Sequence, residues 1–174
     1  MLIANNVLLS FKEEIKDKLQ RTDLGLQYGF EVLSENDIRN KVVPTSGSAP
    51  LWMVHTHISP TEITLPFIGV EVDYGKNTPI EMGSVIGKTW QGKIHIYGKS
   101  RAQRTDIASY LSSPRTIQNI SVYDYTSGSP VFIENADIDI AETTQRVIPQ
   151  DDDDFEGSWR NREVVTLSII TINN

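Results

Sequence analysis

A strand–helix–strand unit in the middle of the chain constrains the fold more than any other feature. Polar and apolar residues alternate from Trp90 to Gly98, which predicts a half-buried strand. Ser100, followed three residues later by Gln103, predicts a capped helix start. Pro114 predicts the helix end, because the residue before a proline is disfavoured in the helical region. Residues 117–125 then alternate again and predict a second strand.

The regions on either side of this unit predict a second helix and further strands. Asn5 or Asn6 can cap an N-terminal helix, and apolar residues then recur at spacings of three and four: Leu8, Phe11, Ile15 and Leu19. In the central helix the corresponding stripe is Arg104, Ile107, Ala108 and Leu111. The sequence therefore predicts an α+β fold, with a mainly antiparallel or mixed β-sheet and two principal helices packed on it, as a single domain over residues 1–174.

Several strand boundaries follow from turn residues and alternation. Pro66 to Tyr74 predicts a strand with Glu71 and Asp73 facing outward, and residues 75–79 predict a turn. Residues 131–133 and 136–141 are predicted to be extended. The final strand, Val164 to Ile172, becomes apolar on both faces, which predicts either a central strand covered on both sides or a strand that meets another subunit.

Composition excludes several classes of function. The net charge of -7 and the pI near 4.9 argue against binding to nucleic-acid phosphates, which requires clustered Lys and Arg. The chain has no cysteine, so disulfides, thiolate nucleophiles and Cys-type zinc sites are excluded. No apolar stretch approaches the roughly 20 residues of a membrane span, and the N-terminus lacks the form of a signal peptide. The cytosol is the expected compartment.

One run of charge stands near the C-terminus, where Asp151, Asp152, Asp153 and Asp154 precede Glu156. Oxygen ligands in a row can hold calcium, but calcium loops space their ligands alternately and include a turn glycine. Consecutive like charges repel one another and favour solvation. The pattern therefore predicts a mobile acidic loop near residues 149–158 in preference to a metal site.

The sequence contains no catalytic constellation. Phosphate-binding loops, zinc-protease motifs and nucleophile elbows are absent from it. The pairs Asp137 with Asp139 and Glu71 with Asp73 could act as glycosidase carboxylates, but such pairs are more often solvated strand faces. His55 and His57 share a strand face and form only a weak metal signature. We expect no catalysis, no cofactor and no metal.

The segment from Pro66 to Tyr125 resembles the tail terminator family of long-tailed bacteriophages and the related tail-completion and neck proteins. The resemblance is carried by PFIGVEVDYG, the strand WQGKIHIYGKS, the helix opening RAQRTDIASYL and the strand ISVYDY. It covers about a third of the chain, and it is a likeness of layout without an invariant motif. It implies a virion structural protein, assembled in the host cytoplasm, in which six subunits form a ring that joins the tail tube to the neck.

This resemblance also implies partners and an interface. We expect a homo-oligomer, a hexamer, that contacts other tail and neck proteins and lets DNA pass without specific binding, with no membrane contact. The residues expected at a subunit boundary or the lumen are Asp151, Asp152, Asp153, Asp154, Trp159, Arg160 and Arg162. The alternatives are a baseplate or tail-adaptor protein, or a carbohydrate- or protein-binding module with an aromatic platform drawn from Trp52, Trp90, Tyr123, Tyr125 and Trp159.

Overall fold

A computed structural model describes residues 4–20, 30–34, 37, 66–79, 86–147 and 162–172. The two helices are α1 (Ala4–Gln20) and α2 (Arg101–Leu111). The strands are β1 (Glu31–Ser34), β2 (Phe67–Pro79), β3 (Ile86–Tyr97), β4 (Asn119–Asp124), β5 (Val131–Val147) and β6 (Arg162–Ile172). This is the predicted α+β fold.

The described strands form one mixed sheet in the order β1-β2-β3-β6-β5-β4. Only β1 and β2 are parallel, and every other neighbouring pair is antiparallel. The final strand β6 therefore lies between β3 and β5, as expected for a central strand. Val165, Leu167 and Ile169 are fully buried along it. Its other face is buried at Val164 but exposed at Ile172, so this strand is covered on both sides only at its start.

Both helices pack on the same face of the sheet, which we call the helix face. A Cβ atom on Gly92 would lie 3.3 Å from Phe11 of α1, so the side of β3 that carries Gly92 faces that helix. Thr105 of α2 donates a hydrogen bond to Glu163, which pairs in register with Ile96 on the same side of the sheet. We call the opposite side the second face. Neither described helix packs on it.

The central helix begins and ends as predicted. Ser100 accepts a hydrogen bond from the backbone N–H of Gln103 at 3.2 Å, and the Gln103 side chain accepts the N–H of Lys99 at 2.7 Å. This is a variant of the capping box, in which the Gln103 side chain accepts the N–H of Lys99 instead of that of the N-cap residue Ser100. The helix ends at Leu111, three residues before Pro114. The predicted stripe is buried in full: Arg104, Ile107, Ala108 and Leu111.

Two local predictions were wrong, and two were incomplete. Asn5 and Asn6 do not cap α1, because both lie inside a helix that already includes Ala4. Residues 75–79 do not form a turn but continue β2 after a register shift that follows Asp73. Residues 131–133 and 136–141 are extended as predicted, and one long strand, β5, joins them. Strand β3 is half-buried as predicted up to Lys93, but His95 and Tyr97 on its second face are buried as well.

Candidate interaction surface

Of the residues predicted at an interface, the structure describes only Arg162. Asp151, Asp152, Asp153, Asp154, Trp159 and Arg160 lie outside the described residues. Arg162 opens β6 and is 8% exposed, with its guanidinium carbon 6.0 Å from the ring centre of Tyr97. It is therefore mainly part of the subunit's own packing on the second face. The interface assignment of this group stays a prediction.

An aromatic pair anchors this end of the second face. Phe67 of β2 and Tyr97 of β3 are register partners, and their rings stack with centres 4.4 Å apart. Burial raises the pKa of Tyr97 to about 12, although the neighbouring Arg162 acts in the opposite direction. The phenol is therefore protonated at neutral pH, and this part of the face serves packing.

Four ionisable side chains continue the second face along β2 and β3. Lys93 lies 2.5 Å from Asp73 and 3.7 Å from Glu71, and His95 Nε2 lies 3.0 Å from Glu71 Oε2. Burial alone would raise the pKa of Glu71, but the His95 hydrogen bond and the Lys93 charge lower it. Burial lowers the pKa of His95, and the Arg162 charge adds to that effect. A neutral imidazole therefore donates its Nε2–H to a carboxylate.

The charged and polar side chains of this ionic group pair with one another, which does not favour a catalytic role for them. Glu71 and Asp73 lie on the second face, away from the helices, as their predicted outward placement requires, and both pair with Lys93. The Asp73 side chain is 45% exposed, whereas that of Glu71 is 14% exposed. Asp137 and Asp139, the other predicted pair, are exposed on β5. Among the described residues, no three His, Asp or Glu side chains converge as metal ligands would. His55 and His57 lie outside the described residues.

The most unusual surface lies at the opposite end of the sheet. Large apolar side chains are exposed there at Val131 (55%), Phe132 (53%), Ile133 and Ile172. The backbone N–H of Ile172 donates a hydrogen bond to the Glu134 side chain, which joins the end of β6 to the start of β5. The four apolar residues therefore lie at the same end of the sheet, which we call the apolar end. The register places Phe132 and Ile172 on the second face, whereas Val131, opposite Asp124, lies on the helix face.

Strand register explains why the apolar end is exposed. Residues 131–137 of β5 pair with β4, but pairing of β5 with β6 begins only at Asp137, opposite Ile170. A register shift between Val122 and Tyr123 leaves Ile133 as an extra residue in β5. A bulge of this kind bends a strand and increases its twist. The β4–β5 hairpin, residues 119–139, thus extends beyond the described part of β6, and we call it the arm.

The tip of the arm is ordered by aromatic contacts and a polar turn. Tyr123 packs edge-on against Phe132 with ring centres 5.9 Å apart, and it also contacts Tyr125 at 6.5 Å. The Asp124 side chain accepts hydrogen bonds from the backbone and hydroxyl of Thr126, at 2.9 and 2.8 Å. Those contacts fix an exposed aromatic group on the second face.

The arm carries negative charge only. Residues 119–139 contain four acidic residues, Asp124, Glu134, Asp137 and Asp139, and the sequence has no Lys or Arg between Arg115 and Arg146. Asp137 lies opposite Ile170 in the register, so its carboxylate is on the second face, one register position on that face from Ile172. The arm therefore combines exposed apolar side chains with carboxylates that have no cation of the same hairpin beside them.

The sequence predicted the strands of the arm but not its exposure. Periodicity marks Ile120 and Val122 as core positions, and both are buried. Periodicity cannot show that β5 extends beyond the end of β6, because the relative position of the two strands depends on pairing between distant segments. Of the aromatics predicted for a binding platform, Trp90 is 1% exposed and belongs to the core, whereas Tyr123 and Tyr125 are partly exposed on the arm.

Neither described helix has the length and apolar content that crossing a bilayer requires. The chain matches no known protein-family model, and no curated protein is significantly similar to it.

Proposed function

We propose that this chain is a non-catalytic structural subunit of a bacteriophage virion, a tail terminator or neck protein that assembles into a ring of about six copies. The observation that carries the proposal is the apolar end of the arm. Clustered exposed apolar side chains mark interaction surfaces, and here they lie on an ordered hairpin at one end of a sheet.

Two further features support an assembly role. The ionisable group on the second face is occupied by internal pairs, so its geometry favours stability over chemistry. The net charge of -7 suits a pore through which DNA passes without adhering, because negative walls repel phosphate. A baseplate or tail-adaptor position is compatible with the same features.

The proposal is tested by the absolute mass of the purified chain from light scattering, with negative-stain images of the same fractions at two concentrations. We expect a discrete ring with a central hole, formed alone or when tail tube is added. A companion variant that lacks Asp151 to Asp154 should keep its unfolding transition but change ring formation or tail attachment. A chain that remains a monomer in the presence of tail tube and neck proteins contradicts the proposal.

A second candidate is a small carbohydrate- or protein-binding module. The partly exposed Tyr123 and the 53% exposed Phe132 favour it, because aromatic rings beside polar groups are typical of such sites. Saturable quenching of intrinsic fluorescence by a glycan, in a chain that stays monomeric with virion proteins, would favour this module over the ring.

A further inference from the structure

We infer that the arm binds a partner protein through a surface of that partner that combines apolar side chains with Lys or Arg. This inference rests on the proposed function, because it gives the chemistry of another component of the same assembly. It is carried by the apolar end together with the one-sided charge of the hairpin.

The apolar part of the surface is both exposed and held in a fixed position, which suits it for binding a partner. Phe132 is 53% exposed on the second face, yet it is held in place by its edge-on contact with Tyr123. A rigid exposed aromatic loses little conformational freedom when it is buried, which favours binding. Ile172 extends the same surface onto β6, so a partner would cover two strands instead of a single side chain.

The hairpin itself supplies no cation to the charged part of the surface, so Lys or Arg of a partner would complement it. No Lys or Arg occurs between Arg115 and Arg146, and the exposed Asp137 and Asp139 point to the second face. The lysines of β3 are already engaged. Lys93 pairs with Asp73, and Lys88 lies over the Trp90 ring on the helix face at 4.2 Å. Complementary charge across an interface favours association and excludes partners of like charge.

The same charges disfavour the other occupants. An arm-to-arm contact between two copies would bring two sets of carboxylates together. Nucleic acid and anionic membranes would be repelled for the same reason. Backbone pairing onto β4 is also blocked at the tip, because Ser10 accepts the N–H of Tyr123 and Asn6 accepts the N–H of Tyr125. The contact must therefore use the side chains of the second face.

The test uses the full chain and two fluorescently labelled synthetic peptides of equal length. One alternates leucine and phenylalanine with lysine, and the other replaces every lysine by glutamate. We expect the lysine peptide to bind and the glutamate peptide not to bind, as followed by fluorescence anisotropy. Phe132→Ser should weaken binding by about tenfold or more, as for the central residue of an interface. Because Phe132 is 53% exposed and its ring contact is with Tyr123 at the tip of the arm, the variant should lower the unfolding midpoint only slightly.

The charge contribution is tested with a matched control. Asp137→Asn combined with Asp139→Asn should weaken binding several-fold at low salt and flatten its salt dependence, because exposed charges are screened at higher ionic strength. Asp106→Asn changes an exposed carboxylate on α2, away from the arm, and should leave binding unchanged. Equal losses in the two variants would mean general attraction to an acidic protein and would overturn the inference.

The remaining outcomes separate this inference from the proposed function. Rings that form normally from a chain whose arm binds neither peptide would overturn the inference and leave the ring proposal intact. If the arm binds the lysine peptide but the chain never assembles into rings, the ring proposal would be overturned and the inference about the arm would stand. Self-association that is lost in Phe132→Ser, without any peptide binding, would assign the arm to a second copy and overturn the inference.

Discussion

The Ser10 hydroxyl of α1 lies 3.0 Å from the backbone nitrogen of Tyr123 on the edge strand β4, and it accepts that N–H. One helical turn earlier, Asn6 accepts the N–H of Tyr125 and donates to the Asp124 side chain. An unpaired strand edge is a template for pairing with another chain. The polar side chains of α1 occupy this strand edge near the tip of the arm.

Replacing Asn6 by Ala should therefore destabilise the chain. Asn6 is 2% exposed, and its loss leaves the Tyr125 N–H and one bond of Asp124 without their partner. We expect the free energy of unfolding to fall by about 0.5–1.5 kcal/mol, the net contribution of a typical hydrogen bond, because Asp124 and Tyr125 are partly exposed and water can replace Asn6 there. Urea unfolding measures the change. Asn5→Ala, at the exposed neighbouring position, serves as the control, and equal effects would mean that these hydrogen bonds contribute nothing.

Replacing Leu111 by Ala should have a larger effect through a different mechanism. Leu111 is fully buried in the core between α2 and the sheet. Removing its branched end loses apolar burial and leaves a cavity, which costs about 2–5 kcal/mol. The comparison is with Ser109→Ala on the exposed side of α2, which should change stability little. A loss below that of the Asn6 variant would mean that the core relaxes around the deletion.

Much of this architecture could be predicted from local patterns. The cap at Ser100, the buried stripe of α2 and the central position of β6 follow from periodicity and helix-end chemistry, which depend on neighbouring residues. The errors arose in segments whose structure depends on pairing with strands that are distant in the sequence. Residues 75–79 contain turn-forming Gly75 and Pro79, but pairing with β3 holds them in a strand. Tertiary pairing outweighs local turn preference in this segment.

The candidate surface was less predictable than the fold for the same reason. Alternation placed His95 and Tyr97 on an outer face, and it could not show that Phe67 and Arg162 would cover them there. The exposure of the apolar end could also not be predicted from the sequence. Val131 and Phe132 look like ordinary strand residues until the register shows that pairing between β5 and β6 begins only at Asp137.

Adding a methyl group at Gly92 should disturb the centre of the core. A Cβ atom there would lie 2.8 Å from Leu167 Cδ1 and 3.3 Å from both Ile169 Cδ1 and Phe11 Cε1. Overpacking of this kind costs about 1–3 kcal/mol. Gly92→Ala should therefore lower the unfolding free energy in urea by that amount, although alanine suits a strand backbone better than glycine does.

The cause can be isolated with a double-mutant cycle. Leu167→Val shortens the side chain that the new methyl group would meet first. If crowding is the cause, the double variant should lose less stability than the sum of the two single variants. Strict additivity would mean that the Gly92 effect comes from the backbone.

The stability of the chain should fall with acid in a way that His95 controls. The pKa of His95 is lowered from its ordinary value of 6.5 by burial and by the Arg162 charge, against the opposing effect of Glu71. Below pH 6.5 the His95 imidazole is protonated in the unfolded chain, whereas in the folded chain it stays neutral until the pH reaches its lower pKa. Linkage then requires stability to fall as the pH drops from 6.5 toward the folded pKa. Glu71, whose pKa is also lowered, adds a loss only below 4.5.

Thermal unfolding midpoints between pH 8 and pH 5 measure this dependence, and His95→Asn is the informative variant. It should be less stable than wild type at pH 8, because the donor to Glu71 is shortened, yet its midpoint should vary less between pH 7 and pH 5. NMR titration of the ring protons assigns the effect, since the chain has only three histidines. A His95 ring that titrates at or above 6.5 in the folded chain would contradict the argument, because folding would then favour the charged imidazole.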